Sequence, residues 1–246
     1  MFGEPGPTQG DIHFKLLGMP IRIHPLFWLI AVVLGANSGG AIEVLIWVVA
    51  VLVSILIHEL GHALVIRAFG FHPWIVLYGM GGLTCHDPAE NYNSKANTPL
   101  GQISISIAGP LAGFILAALL VIVFYRTGYI QEIDFIPPIH LQLYWSEVTR
   151  LAQLFNYIII CSFFWGILNL LPVYPLDGGQ IMREILLYFN HQEGVWQSLI
   201  LSIFTAGLIA VFALVKLQYY YIAFLFAFLA YESFTALQAL SRGGRW

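Results

Sequence analysis

Charge is what this 246-residue chain has least of. Only 9% of its residues are Asp, Glu, Lys or Arg, against about a quarter in a soluble domain. That scarcity, with 59% hydrophobic residues, excludes an ordinary soluble globular fold and points to a polytopic helical membrane protein. The net charge of −3 leaves no basic footprint, so no nucleic-acid partner is expected. Two cysteines, Cys85 and Cys161, make neither a disulfide framework nor zinc-finger spacing. No basic stretch followed by an apolar core opens the chain, so no cleaved signal peptide is expected. Low-complexity tracts, internal repeats and linkers to a separate domain are also missing. Aspartate is scarce too: Asp11, Asp87, Asp134 and Asp177 are the whole set, which makes each one conspicuous.

What is present is a series of apolar segments. They run at about Pro25–Leu34, Ile42–Phe69, Ile103–Tyr125, Leu151–Leu171, Trp196–Val215 and Tyr219–Leu240. All but the first offer roughly 20 residues, enough to cross a bilayer. The expected fold is therefore all-α and polytopic, with about six transmembrane helices. Between the second and third lies Phe71–Asn97, where Trp74–Tyr78, a glycine turn and Leu83–Asp87 suggest a small β-hairpin dipping into the membrane interface. Thr127–Arg150, with its Pro137-Pro138 pair, reads as a loop too short for a folded domain. The whole of 1–246 is expected to be one domain, with its working core at about 42–190. If both termini are cytoplasmic, Lys15, Arg22, Arg67, Lys95, Arg183, Arg242 and Arg245 lie inside, and Arg126, Arg150 and Lys216 outside. That excess favours the orientation. Tyr219-Tyr220-Tyr221 reads as an interfacial aromatic belt.

Within the second segment, Val44–Ile57 holds one polar residue, Ser54, and then comes His58-Glu59-Leu60-Gly61-His62. On a helix the two histidines stand one turn apart and face the same way. Two neutral imidazoles so placed can both reach one zinc ion at about 2 Å. Glu59, offset by about 100°, flanks the ion and can take a proton from water. A glutamate within a span costs roughly 2.5–3.5 kcal/mol on insertion scales, so its presence there argues for a function. A catalytic zinc site needs a third protein ligand and one open position. Asp177 follows the fourth segment in Asn169-Leu170-Leu171-Pro172-Val173-Tyr174-Pro175-Leu176-Asp177-Gly178-Gly179, where the prolines end the helix and the glycines permit a sharp turn. By the charge count it lies at the same depth as His58–His62. The alternative for Asp177 is a cap on a following helix.

Together, His58-Glu59-Leu60-Gly61-His62 and Asn169-Leu170-Leu171-Pro172-Val173-Tyr174-Pro175-Leu176-Asp177-Gly178 identify a resemblance to the site-2 protease family of intramembrane zinc metalloproteases. Its members pair H-E-x-x-H with N-x-x-P-x-x-x-L-D-G on a later span. The resemblance implies one zinc ion bound by His58, His62 and Asp177, with Glu59 as general base. It implies that Asn169 holds substrate or the developing oxyanion, a task an amide donor suits, although an interhelical hydrogen bond is the alternative. Gly79-Met80-Gly81 resembles the family's re-entrant G-x-G hairpin, making Gly79 and Gly81 substrate-binding candidates by strand addition; a plain membrane-surface turn is the alternative. Ala108-Gly109-Pro110-Leu111-Ala112-Gly113 resembles the family's small-residue patch and reads as a G-x-x-x-G helix-packing face. The chain as given has room for neither the PDZ nor the CBS domains that many relatives carry.

The function so implied is hydrolysis of peptide bonds in or near the transmembrane segment of a membrane-protein substrate, in signalling by analogy, within a bacterial or archaeal cell membrane and among its lipids. An ion or metal transporter using the His and Asp cluster, or a non-catalytic membrane scaffold, are the rivals. Neither needs a general base beside the metal. Oligomeric state, substrate identity and the roles of His24, His72, His86 and Cys85 are not given by the sequence.

Overall fold

The computed structural model describes residues 4–91, 95–136 and 140–242. Pro137, Pro138 and Arg245, used in the sequence reading, lie outside them. The described residues are mostly helical, and among them five helices are long and apolar enough to cross a membrane: Ala41–Ala68, Pro99–Arg126, Arg150–Asn169, Gly194–Leu217 and Tyr220–Ser241. The first apolar segment forms a shorter helix, Pro25–Gly35. The described residues fall into two compact units, one built from 4–91 and 108–166, the other from 95–107 and 167–242.

The first unit begins with an antiparallel hairpin, β1 (Ile12–Leu16) and β2 (Met19–Ile23), turning through Leu17 and Gly18, both at positive φ. α1 (Pro25–Gly35) follows. Pro25 occupies its first turn, where no hydrogen-bond donor is needed, and His24 caps it: Nδ1 accepts from the Leu26 amide at 3.2 Å. α2 (Ala41–Ala68) is apolar on every side, as a span must be, with Glu43 near its N-terminus and Arg67 near its C-terminus to complement the helix dipole. The chain then returns to the sheet as β3 (Trp74–Tyr78), parallel to β2, and β4 (Gly81–Cys85), antiparallel to β3. The sheet order is β1-β2-β3-β4, so β4 is an edge. Met19, Ile21 and Ile23 of β2 and Ile75 and Leu77 of β3 pack with Ile55, Leu60 and Ala63 of α2.

In the same unit, α3 (Pro99–Arg126, of which Ala108 onward belongs here) leads to a second hairpin, β5 (Ile130–Ile136) and β6 (His140–Trp145), and to α4 (Arg150–Asn169, up to Gly166). Ile130, Leu143, Ala117 and Ile159 form a second core. Ser162 of α4 donates to Ser54 of α2 at 3.1 Å, and Ser54 reaches the Ile158 carbonyl at 3.3 Å, a polar link between spans one helical turn from His58. The expectation of an all-α chain with a single hairpin thus needs correcting. The β3–β4 hairpin is present, but the N-terminal segment supplies β1 and β2, and the stretch read as a loop, Thr127–Arg150, folds as β5 and β6.

The second unit holds α5 (Asp177–Phe189), α6 (Gly194–Phe212) and α7 (Tyr220–Arg242) around Val173, Ala206, Phe226 and Leu229.

Candidate metal and catalytic centre

His58, Glu59 and His62 are buried on α2. Each offers one ligand atom, and these atoms all lie within 4.8 Å of one another. The Nε2 atoms of the two histidines stand 3.2 Å apart. Two nitrogens each about 2.0–2.1 Å from one tetrahedral zinc would be about 3.3 Å apart, so the pair already has the spacing of shared ligation. The space in front of the rings is kept by a glycine of the facing helix. A Cβ on Gly109 would overlap His62 Nε2 and lie 2.8 Å from His58 Nε2. α2 answers with Gly61, where a Cβ would collide with the Ala108 carbonyl and come within 2.8 Å of Ala112 Cβ. Gly109, read from sequence as a packing residue, therefore also borders the histidine pair. Gly113 faces α4 instead, its Cβ position 3.1 Å from the Ser162 carbonyl. The donor set and the room left for an ion fit zinc.

Glu59 leaves α2 toward β4. Its Oε2 lies 2.7 Å from Thr84 Oγ1, and a Cβ at Gly82 would run into its carboxylate group. Trp165 of α4 stands edge-on to His58, ring centroids 6.4 Å apart, and lies against the hairpin. Gly81, at φ +118°, has the Trp165 ring where its Cβ would be, 2.7 Å from Cζ2, so both backbone and space demand glycine. The position of Gly79 is less tight: a Cβ there would touch Ile30 and Leu26 of α1 at 3.4 and 3.5 Å, ordinary contacts. Thr84, Gly82 and Trp165 were not singled out by sequence. The sole cue was their place beside the G-x-G turn or on the span that carries Asn169.

Two neighbours of the hairpin are shifted in their ionisation. Burial, reinforced by the charges of Glu4 and Glu59, pushes the Cys85 thiol up to about 11. Burial lowers His86, whose ring packs edge-on against Phe71.

Asn169 and Asp177 belong to the second unit. Asn169 ends α4 and is buried. Asp177 is the first residue of α5, whose N-cap is Leu176, so it sits in the first turn and does not occupy the cap. The bend between them is closed by glycine: a Cβ at Gly178 would collide with the backbone of Leu170 and Leu171, and one at Gly179 with that of Val173 and Tyr174. Serines of the last two spans hold this bend. The Tyr174 amide donates to Ser202 Oγ at 3.0 Å, and Ser233 Oγ donates toward the Tyr174 carbonyl at 3.2 Å. Sequence reading missed both serines, which belong to no motif and lie among other polar residues of their helices, Ser198 and Thr205 on α6 and Glu232 and Thr235 on α7.

The family model described as "Peptidase family M50" matches residues 46–211. A zinc metalloprotease of Methanocaldococcus jannaschii is 30% identical over 178 residues, covering 70% of this chain and 44% of that protein. Stage IV sporulation protein FB of Bacillus subtilis is 28% identical over 166 residues, covering 67% of this chain and 46% of that one. The chain therefore spans less than half the length of these relatives. In fold, it is similar to a site-2 protease structure from Methanocaldococcus jannaschii, with a TM-score of 0.60, 24% identity and coverage of 92% of this chain and 95% of that one.

Proposed function

Because the chain belongs to peptidase family M50, we propose that it is an intramembrane zinc metalloprotease that cleaves membrane-protein substrates within or near their transmembrane segments. The observation that carries this reading is the buried His58–His62 pair at ligand spacing with the Glu59 carboxylate beside it. His58, His62 and Asp177 are the proposed zinc ligands. When bound, zinc supplies a Lewis acid that polarises a carbonyl and lowers the pKa of a water. Glu59 accepts the proton of the attacking water and passes it to the leaving amine nitrogen. Asn169 donates its side-chain amide to the substrate carbonyl oxygen as charge develops there. The hairpin carrying Gly79 and Gly81 receives the unwound substrate as an added strand on the edge of β4.

The proposed catalytic domain is the whole of 1–246, with its core at about 42–190; the family match across 46–211 supports this. Counting Pro25–Gly35 with the five long helices gives six membrane segments, with the β3–β4 hairpin re-entrant between the second and third. The excess of Lys and Arg supports cytoplasmic termini, which puts His58–His62 in the cytoplasmic half of a bacterial or archaeal membrane.

The test is Glu59→Gln in purified full-length protein, with zinc content and cleavage of a model transmembrane substrate both measured. Zinc retained with cleavage lost is the expected result. Cleavage surviving the substitution, or wild-type protein that binds no zinc, would sink the mechanism.

A further inference from the structure

Strand β4 touches the proposed base directly, through one of its faces. Successive strand residues point to opposite sides, so Gly82 and Thr84 share a face while Leu83 turns away. That shared face is turned to Glu59. Gly82 has no side chain where a Cβ would overlap the Glu59 carboxylate group. Thr84, two residues on, places Oγ1 2.7 Å from Glu59 Oε2 and 3.0 Å from the Glu59 main-chain carbonyl. A hydroxyl has one hydrogen to give. The carbonyl of a mid-helix residue already accepts from the amide four residues on. The hydrogen therefore goes to the shorter, charge-assisted contact with the carboxylate.

We propose that Thr84 is the positioning residue of Glu59: its hydroxyl, given room by Gly82, fixes the carboxylate in the orientation from which it accepts a proton from water. The inference rests on the reading of Glu59 as base. A glutamate has three rotatable side-chain bonds, and an anchor on one oxygen removes the freedom that would let the carboxylate swing from the water. The anchor comes from the edge strand, 25 residues along the chain. The geometry of the base is thus set by the hairpin as well as by the helix that bears it.

Thr84→Val keeps the β-branched shape and removes the donor; Thr84→Ser keeps the donor and removes the methyl. Thr84→Val is expected to lower kcat about 10–100-fold, the usual cost of losing a supporting hydrogen bond at a metal site, with KM and zinc content unchanged. Thr84→Ser is expected to recover most of that loss. Should the valine variant fail to fold, Thr84→Ala against Thr84→Ser makes the same comparison. Melting of the zinc-loaded protein supplies a readout independent of turnover: the shift caused by Thr84→Val is expected to shrink when Glu59→Ala is already present, because the two groups are coupled. Cleavage by Thr84→Val at the wild-type rate, a serine variant as impaired as the valine one, or zinc lost in step with kcat would each overturn the role. Glu59→Gln run alongside separates the two ideas. An active Glu59→Gln rejects the base itself, while an inactive Glu59→Gln beside a fully active Thr84→Val rejects Thr84 alone.

Discussion

The α-carbon of Gly109 faces the imidazole of His62 so closely that a methyl group on it would overlap Nε2. The smallest side chain at 109 would thus occupy the coordination space or turn the rings away from it. Gly109→Ala is expected to weaken zinc binding about tenfold or more. Metal analysis after dialysis against a graded chelator series measures it; a variant that holds zinc as wild type does would show that the helices yield.

Asp177 and Asn169 are expected to separate by readout. Asp177→Ala removes a proposed ligand, so zinc content and cleavage fall together. Asn169→Ala removes a proposed oxyanion donor, so zinc stays and kcat drops about 10²–10³-fold. Zinc quantitation beside single-turnover cleavage distinguishes the two patterns, and full zinc in Asp177→Ala would remove it from the ligand set.

Cys85 is expected to be slow toward alkylating reagents at neutral pH. Its thiol is pushed up to about 11, first by burial and then by the negative charges of Glu4 and Glu59, and the thiolate is the reactive form. In a Cys161→Ser background, the alkylation rate is expected to rise toward pH 11. A plateau reached near pH 9 would contradict the assignment.

Acid should loosen the turn after the β3–β4 hairpin at a pH set by Glu90. Its carboxylate accepts the His72 amide at 3.0 Å and also contacts the His72 ring, and these hydrogen bonds hold its pKa below the usual carboxylate range. A depressed folded-state value means that the tie is fully present above the pKa of a free glutamate. It is lost as pH falls through the lowered value. Hydrogen exchange at the His72 amide is expected to stay protected at pH of roughly 4.3, the value of a free glutamate, and to lose protection below it. Glu90→Gln should abolish that pH dependence.

The metal-binding motif was legible because helical spacing alone puts His58 and His62 on one face, with Glu59 beside them. The parts that Thr84 and Gly109 take beside it were not, because each comes from another element. Thr84 is distant in sequence, and Gly109 takes its part only through the rotation of α3 against α2, which a G-x-x-x-G pattern does not specify. Of the fold, long apolar runs announced the five spans. The glycine turn between two β-rich runs announced β3 and β4, but β1, β2, β5 and β6 did not announce themselves. Ile12, Phe14 and Leu16 alternate as a strand should, and Leu17-Gly18 turns them back, but five-residue strands are easily lost beside spans of twenty residues or more. The Ser202 and Ser233 contacts to Tyr174 were invisible for a related reason: a serine within a span does not say which backbone it meets.

The parallel pairing of β2 with β3 closes a circuit. The chain leaves the sheet at Ile23, runs out through α1, and comes back through α2 to rejoin β2, with Ile21 opposite Ile75. Arg67, at the returning end, donates to the Leu17 carbonyl at 2.7 Å and fastens the same corner. His62 lies six residues, or about 9 Å, from the last residue of α2. Its depth below the sheet is therefore a matter of strand register and not of lipid thickness. In a thinner or thicker bilayer the far end of α2, around Ala41, has to adjust, while the histidines keep their distance from the strands.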